Sequence, residues 1–303
     1  MAEDIKDEAA LRLRRLLEIR AIGIAALHEG AQGLDCWEYL TELKGLRVRG
    51  HKLEWREAKV AHLVALRQRA TQVVGSMRTL RELCDEKGLE DRFVAFEALV
   101  KSSLGSIRLT NHAFREDNFA EMAHEPIWDR VGDHLKSLKE NGYEAFLNSG
   151  TLLGVVRDER LIDHDDDIDI AVILKANNRQ AAAGEWLELR QRLSDEGVLD
   201  EDAINDPSIL KLTPVNGVQI DLFPAWFEAD KFYVYPHTLG ELSKTDVLPL
   251  KACSITAYPI PANPEKMLAL NYGDGWKTPD PYFKFPWHIA TERFSSFLEG
   301  VRV

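Results

Sequence analysis

The chain has 303 residues, roughly two average domains at about 150 residues each, and its 45% hydrophobic and 29% charged residues are those of a folded protein. No run of about 18 apolar residues occurs, which rules out a spanning helix. The net charge of −12 argues against a general nucleic-acid binder, and it is unevenly placed: residues 1–100 carry 17 basic and 17 acidic side chains, the remainder 21 and 33.

The charged start, MAEDIKDEAALRLRR, lacks the apolar core of an export signal. The three cysteines (Cys36, Cys84, Cys253) form no C-x-x-C pair. A disulfide framework and a thiolate zinc site are therefore not expected, and a cytoplasmic setting is.

Up to residue 120 the sequence reads helical. Residues 8–28 place apolar positions at three- and four-residue steps, as an amphipathic helix requires. A region with Gly33, Gly45 and Gly50 reads as a connection. Leu63, Leu66, Ala70, Val73, Met77, Leu80 and Cys84 then alternate steps of three and four, and Gly88 supplies a stop. This stripe fits either a coiled-coil seam or a helix packed inside a small bundle. Residues 89–120 read as one or two further short helices. An all-helical domain over 1–120 is predicted, with pairing of two chains through its helices as one possible outcome.

Arginines accompany both stripes: Arg12, Arg14, Arg15 and Arg20 on 8–28, and Arg67, Arg69, Arg78 and Arg81 on 63–84. Basic amphipathic helices can lie on anionic lipid, which suggests peripheral contact at the inner membrane face. The alternative is that the helices pack together and the arginines pair with the equal number of acids.

After residue 125 the character changes, and 121–303 reads as a second domain. A helix over 125–141 precedes an apolar run at 143–147, the turn Ser149-Gly150-Thr151, and the strand pattern 167–174. A helical stretch around 178–196 and strand candidates at 209–213, 217–223 and 231–235 follow. This alternation predicts an α+β core with a mixed sheet. All but one of the twelve prolines fall between 207 and 286, so the tail reads as loop-rich.

The densest chemical signal is Asp163-His164-Asp165-Asp166-Asp167-Ile168-Asp169-Ile170. Side chains alternate along a strand, so Asp167 and Asp169 share one face while Ile168 and Ile170 take the other. Two carboxylates held together repel unless a cation lies between them. The pattern points to a metal site; a solvated acidic turn is the alternative. Upstream, Ser149-Gly150-Thr151 opens a helix and offers backbone N–H groups to phosphate. Downstream, Val218-Gln219-Ile220-Asp221-Leu222-Phe223 puts one acid in an apolar strand. Asp221 either joins the first pair or faces solvent.

The order of these pieces resembles the nucleotidyltransferase fold. More narrowly, Ser149-Gly150-Thr151-Leu152-Leu153-Gly154-Val155-Val156-Arg157 through Asp165-Asp166-Asp167-Ile168-Asp169 is similar to the LicD/fukutin family, in which an SGTLLG-x-x-R stretch leads into a DDDxD run. Ile220-Asp221-Leu222-Phe223, Pro259-Ile260-Pro261, Tyr272-Gly273, Trp276 and Pro279 add to the likeness, which covers about residues 125–285. Asp163-His164 stands where the family usually has Pro-Trp.

The resemblance implies a nucleotidyltransferase-like mixed sheet flanked by helices. It also implies a metal-dependent transfer of a phospho-alcohol, such as phosphocholine or ribitol phosphate, from a CDP-activated donor to a glycan or lipid-linked glycan, with release of CMP. Mg²⁺ or Mn²⁺ would be held by Asp167 and Asp169, with Asp165 and Asp221 as further ligands. Asp221 would ligate a second metal or take the acceptor's proton. Ser149, Gly150 and Thr151 would cradle phosphate, and Arg157 would pair with a phosphate oxygen or with the acidic run. Two other readings stay open: a nucleotidyltransferase that uses an NTP and releases pyrophosphate, and a non-catalytic scaffold acting through the helical region.

Overall fold

A computed structural model describes residues 2–116, 119, 122–200, 207–283 and 285–302, leaving aside the side chains of 2–6. The chain divides into two compact units, Met1–Asn118 with Asp280–Lys284, and Phe119–Pro279 with Phe285–Val303.

The first unit is built on five helices: α1 (Ala2–Glu29), α2 (Cys36–Gly45), α3 (Lys52–Ala65), α4 (Ala70–Asp85) and α5 (Glu90–Leu104). Its core gathers Leu16 and Ile19 of α1, Val60 and Leu63 of α3, and Val73, Met77 and Leu80 of α4. Helix α1 approaches α3 closely at Gly23, where a Cβ would stand 3.0 Å from that of Ala61. A glycine here removes the atom that would hold the two backbones apart.

Three expectations for this region are corrected. The 63–84 stripe is not one helix and forms no coiled-coil seam. Arg67 (φ 52°) and Arg69 (φ 57°) take left-handed backbone and separate α3 from α4. The stripe's apolar residues meet across the resulting helix pair. The supposed connection at 33–50 contains α2, whose N-cap Asp35 accepts the N–H groups of Trp37 and Glu38, both at 3.0 Å. The helix expected over 89–120 is α5, and after it the region predicted to be all-helical forms a short hairpin, β1 (Arg108–Leu109) with β2 (Phe114–Arg115).

The arginines chosen for lipid contact are largely spent on acids. Arg15 grips Glu42 with two bonds of 2.7 and 2.8 Å, Arg14 meets Glu18 at 3.3 Å, and Arg78 meets Glu82 at 2.9 Å. Arg20 and Arg92 both reach Glu57, whose side chain is 1% exposed, and Arg92 also reaches Glu54 at 3.0 Å. Arg81 holds Asp280 with bonds of 2.9 and 3.0 Å. Beside it, Tyr282 is buried in the helical core, donates to Glu97 at 2.6 Å and meets Phe93 edge-on. Tyr282 is thus a packing residue of the helical unit, although it falls in the tail of the sequence.

The second unit begins with α6 (Glu125–Glu140) and β3 (Glu144–Leu147), followed by α7 (Ser149–Leu153), β4 (Asp167–Ile173) and α8 (Arg179–Asp195). Next come β5 (Leu210–Val215), β6 (Val218–Glu228), β7 (Lys231–Val234) and β8 (Thr238–Ser243). These strands form one mixed sheet of six in the order β3-β4-β6-β7-β8, with β5 also paired to β6. The predicted α+β architecture is therefore present. Strand β4 runs parallel to β6 and antiparallel to β3. Strands β5 and β7 pair antiparallel with successive halves of β6. Strand β6 is paired along both edges, which accounts for its near-continuous apolar sequence.

The remaining helices are α9 (Lys244–Val247), α10 (Pro264–Tyr272), α11 (Trp287–Arg293) and α12 (Ser295–Val301); α8 packs on β6 and α12, and α10 packs on α7. No helix among the described residues is long and apolar enough to cross a membrane.

Candidate active site

The sheet register assembles the acidic residues. Ile168 and Ile170 of β4 are fully buried, as are Ile220 and Leu222 of β6, and they fix which face of each strand is apolar. The alternate positions take the opposite face. In the parallel ladder Asp169 is paired with Asp221, and in the neighbouring antiparallel ladder Asp221 is paired with Lys211. Lys211, Asp221 and Asp169 therefore form a row across three strands. Lys211 Nζ donates to Asp221 Oδ2 at 2.6 Å. Asp221 faces the acidic pair rather than solvent and is 5% exposed.

The turn after β3 closes on the same row. Asn148 N–H donates to the Asp169 carbonyl, and Asp169 N–H donates to Thr151 Oγ1, both at 2.9 Å. Gly150 N–H donates to Asp169 Oδ2 at 2.9 Å. Asp165, from the loop before β4, also reaches this point: a Cβ on Gly150 would collide with Asp165 Oδ2 and stand 3.4 Å from Asp169 Oδ2. Glycine is required here because two carboxylates converge on its α-carbon.

Burial and mutual repulsion set the electrostatics. Desolvation, then the charges of Asp167 and Asp166, hold the Asp165 carboxyl well above its ordinary range. Asp169 is raised likewise, by desolvation and then by Asp167, Asp165 and Asp221, with the Gly150 amide opposing. Asp167, at the mouth of β4, is half-buried. The phenol of Tyr272 is raised by burial and then by Asp169, Asp165 and Asp167, which places the end of α10 beside the acids.

Gly150, Thr151 and Arg157, expected at phosphate, each have partners within the protein. Gly150 and Thr151 fasten Asp169. Arg157 is bound to its neighbour Asp158 by two bonds of 2.8 and 2.7 Å and to the Trp276 carbonyl at 3.4 Å; it pairs with no acid of the 163–169 run. Ser149 does face the turn's interior: its backbone is left-handed (φ 43°), and its buried Oγ has no hydrogen-bond partner. Asn148, which sequence reasoning passed over, is fully buried with both side-chain polar atoms unpartnered. A buried amide and hydroxyl without partners are costly unless something binds there. The signal that could have found Asn148 is its place between the strand pattern and the small-residue turn, where a helix cap falls.

These residues fit a hard divalent cation. Asp165, Asp167, Asp169 and Asp221 offer only oxygen donors, and their crowding is the kind that a cation relieves.

Residues 142–263 match the LicD/FKTN/FKRP nucleotidyltransferase-domain family. Over that segment the chain is similar to the LicD/fukutin family. The matched segment runs from β3 past β8 and contains Ser149, the 163–169 acids and Asp221. LicD-family domains are of phosphotransferase type and belong to glycan and polysaccharide biosynthesis. The chain as a whole matches no curated protein.

Proposed function

We propose that the LicD-family domain transfers a phospho-alcohol from a CDP-activated donor to a hydroxyl of a glycan or lipid-linked glycan and releases CMP. The observation that carries this reading is the convergence of Asp165 and Asp169 on Gly150, with Asp221 beside Asp169 in the ladder, inside the segment matching the family.

Mg²⁺ or Mn²⁺ suits the donor set; held by Asp165, Asp167, Asp169 and Asp221, it would neutralise the charge of the donor diphosphate. The chain's own residues do the rest. Ser149 Oγ, buried and unpartnered, is available to a phosphate oxygen. Asp221 either serves as a metal ligand or accepts the proton of the acceptor hydroxyl, whose oxygen attacks the donor's outer phosphorus as the bond to CMP breaks. Lys211, bonded to Asp221, offsets part of its charge and fixes its orientation. The backbone bonds to Gly150 and Thr151 keep Asp169 in place through turnover.

Incubation of the purified chain with CDP-linked donors or with NTPs, each with Mg²⁺ or Mn²⁺, tests the reading. CMP release is expected. Pyrophosphate release from an NTP would instead assign nucleotidyl transfer. Neither product, with no metal bound, would leave a scaffold acting through the helical unit.

A further inference from the structure

The helical unit carries a cluster of cations outside the arginine–acid pairs described above. Arg47 follows α2, Arg56 and Lys59 lie one turn apart on α3, and Arg69 caps α4. Among the described residues none of the four makes an ion pair. Two indoles take the place of acids. The Arg47 guanidinium sits 3.8 Å above the centre of the Trp55 ring, Lys59 Nζ lies 5.9 Å from the same ring, and Arg69 covers Trp37 at 4.8 Å. Trp55 is anchored by its N–H bond to the Leu43 carbonyl at 2.7 Å, whereas Trp37 is 40% exposed.

The cations also act on one another. Burial lowers the Lys59 ammonium, and the charges of Arg56, Arg47 and Arg69 lower it further. Arg56 is lowered by burial and then by Arg47; Glu82, already bonded to Arg78, opposes. A chain of net charge −12 thus concentrates positive charge on one surface of its helical unit, where these four cations form no ion pair among the described residues.

We infer that the surface formed by Arg47, Arg56, Lys59, Arg69 and Trp37 docks on the headgroup layer of an anionic phospholipid bilayer. Charge complementarity selects an anionic partner. The exposed indole selects a bilayer, because a ring that is apolar at one end and polar at the other finds both surroundings at a membrane interface. The chain's overall acidity does not prevent this contact, because at physiological salt charges more than about 8 Å away are largely screened. All the residues belong to the helical unit, so the surface stands whether or not the carboxylate site transfers phosphate.

Co-sedimentation of the full chain with phospholipid vesicles tests the inference. Binding is expected to phosphatidylcholine vesicles containing phosphatidylglycerol, not to pure phosphatidylcholine, and is expected to vanish at about 1 M salt, where the Debye length falls to about 3 Å. Arg47→Glu and Arg69→Asn alter exposed side chains, and asparagine tolerates the left-handed backbone at 69. Each should lower partitioning at least about fivefold, the effect of about 1 kcal/mol per near-surface charge. Trp37→Ser, with every charge intact, should weaken binding while preserving its salt dependence. Arg14→Glu on α1 should leave binding within about twofold, since Arg14 serves Glu18. No vesicle binding by the wild-type chain, equal loss in Arg14→Glu, or retention on heparin without vesicle binding would each overturn the assignment, the last in favour of a soluble polyanion.

Discussion

Asp169 and Asp221 are direct neighbours across the parallel β4–β6 ladder, and Lys211 stands beyond Asp221 in the same row. Their spacing is set by backbone pairing rather than by a loop.

Asp167→Asn and Asp169→Asn should each lower turnover by more than about 100-fold, since removing even an outer partner of a metal ligand costs about 10–100-fold. Neither should destabilise the metal-free chain, because each relieves repulsion among buried acids. Thermal unfolding in EDTA and in Mg²⁺ checks both points. Bound at about 100 times its Kd, the ion should add about 2.7 kcal/mol to the wild-type chain, and less to the variants. A wild-type melting temperature indifferent to Mg²⁺ and Mn²⁺ would refute the metal assignment.

Gly150→Ala tests the turn without altering charge. Its Cβ would meet Asp165 and Asp169 oxygens, so one carboxylate must move. Metal binding by calorimetry and turnover should fall together, while Gly184→Ala, whose Cβ meets nothing within 4 Å, should leave both unchanged.

His134 on α6 is 8% exposed, and burial followed by the charge of Arg130 lowers its pKa from 6.5 to about 4. The unfolded chain therefore binds the proton more readily between those values. Stability is full above about pH 6.5 and is lost as pH falls towards 4, by up to about 3 kcal/mol. Urea unfolding of the wild type and His134→Leu at pH 7 and near pH 4.5 measures the difference. The part of the acid loss owed to His134 should vanish in the variant.

Glu57→Ala should destabilise the helical unit by about 3 kcal/mol, towards the low end for a broken buried pair, because Arg20 and Arg92 keep partial contact with water. Denaturant unfolding followed by circular dichroism would read this. A change under about 0.5 kcal/mol would mean the two arginines find other partners.

The sequence displayed the chemistry of the site more clearly than its geometry. Alternation in Asp167-Ile168-Asp169-Ile170 identified one face of β4, and Gly150 marked the turn. The pairing of Asp169 with Asp221 depends on strands some fifty residues apart, and no local pattern encodes a non-local register. The α3–α4 break was hidden because Leu66-Arg67-Gln68-Arg69 contains neither glycine nor proline, and the apolar steps continue across it. Helix α2 did leave a trace: Asp35 with Glu38 three residues on is an N-terminal signature, masked by the glycines around it. The β1–β2 hairpin, with strands of two residues, is too short to show a period.

The grouping of Asp280–Lys284 with the helices gives the chain a particular connectivity. It passes from the helical unit into the sheet unit near residue 118, returns at 280, and leaves again after 284. A single proteolytic nick near residue 118 would thus sever the five helices from the rest of the backbone, yet leave Asp280–Lys284, now on the other fragment, packed among them. Conversely, expressing the chain from residue 119 onward would not isolate a finished half. It would strip Tyr282 of Phe93 and Glu97 and Asp280 of Arg81, and so carry an orphaned anchor into solvent.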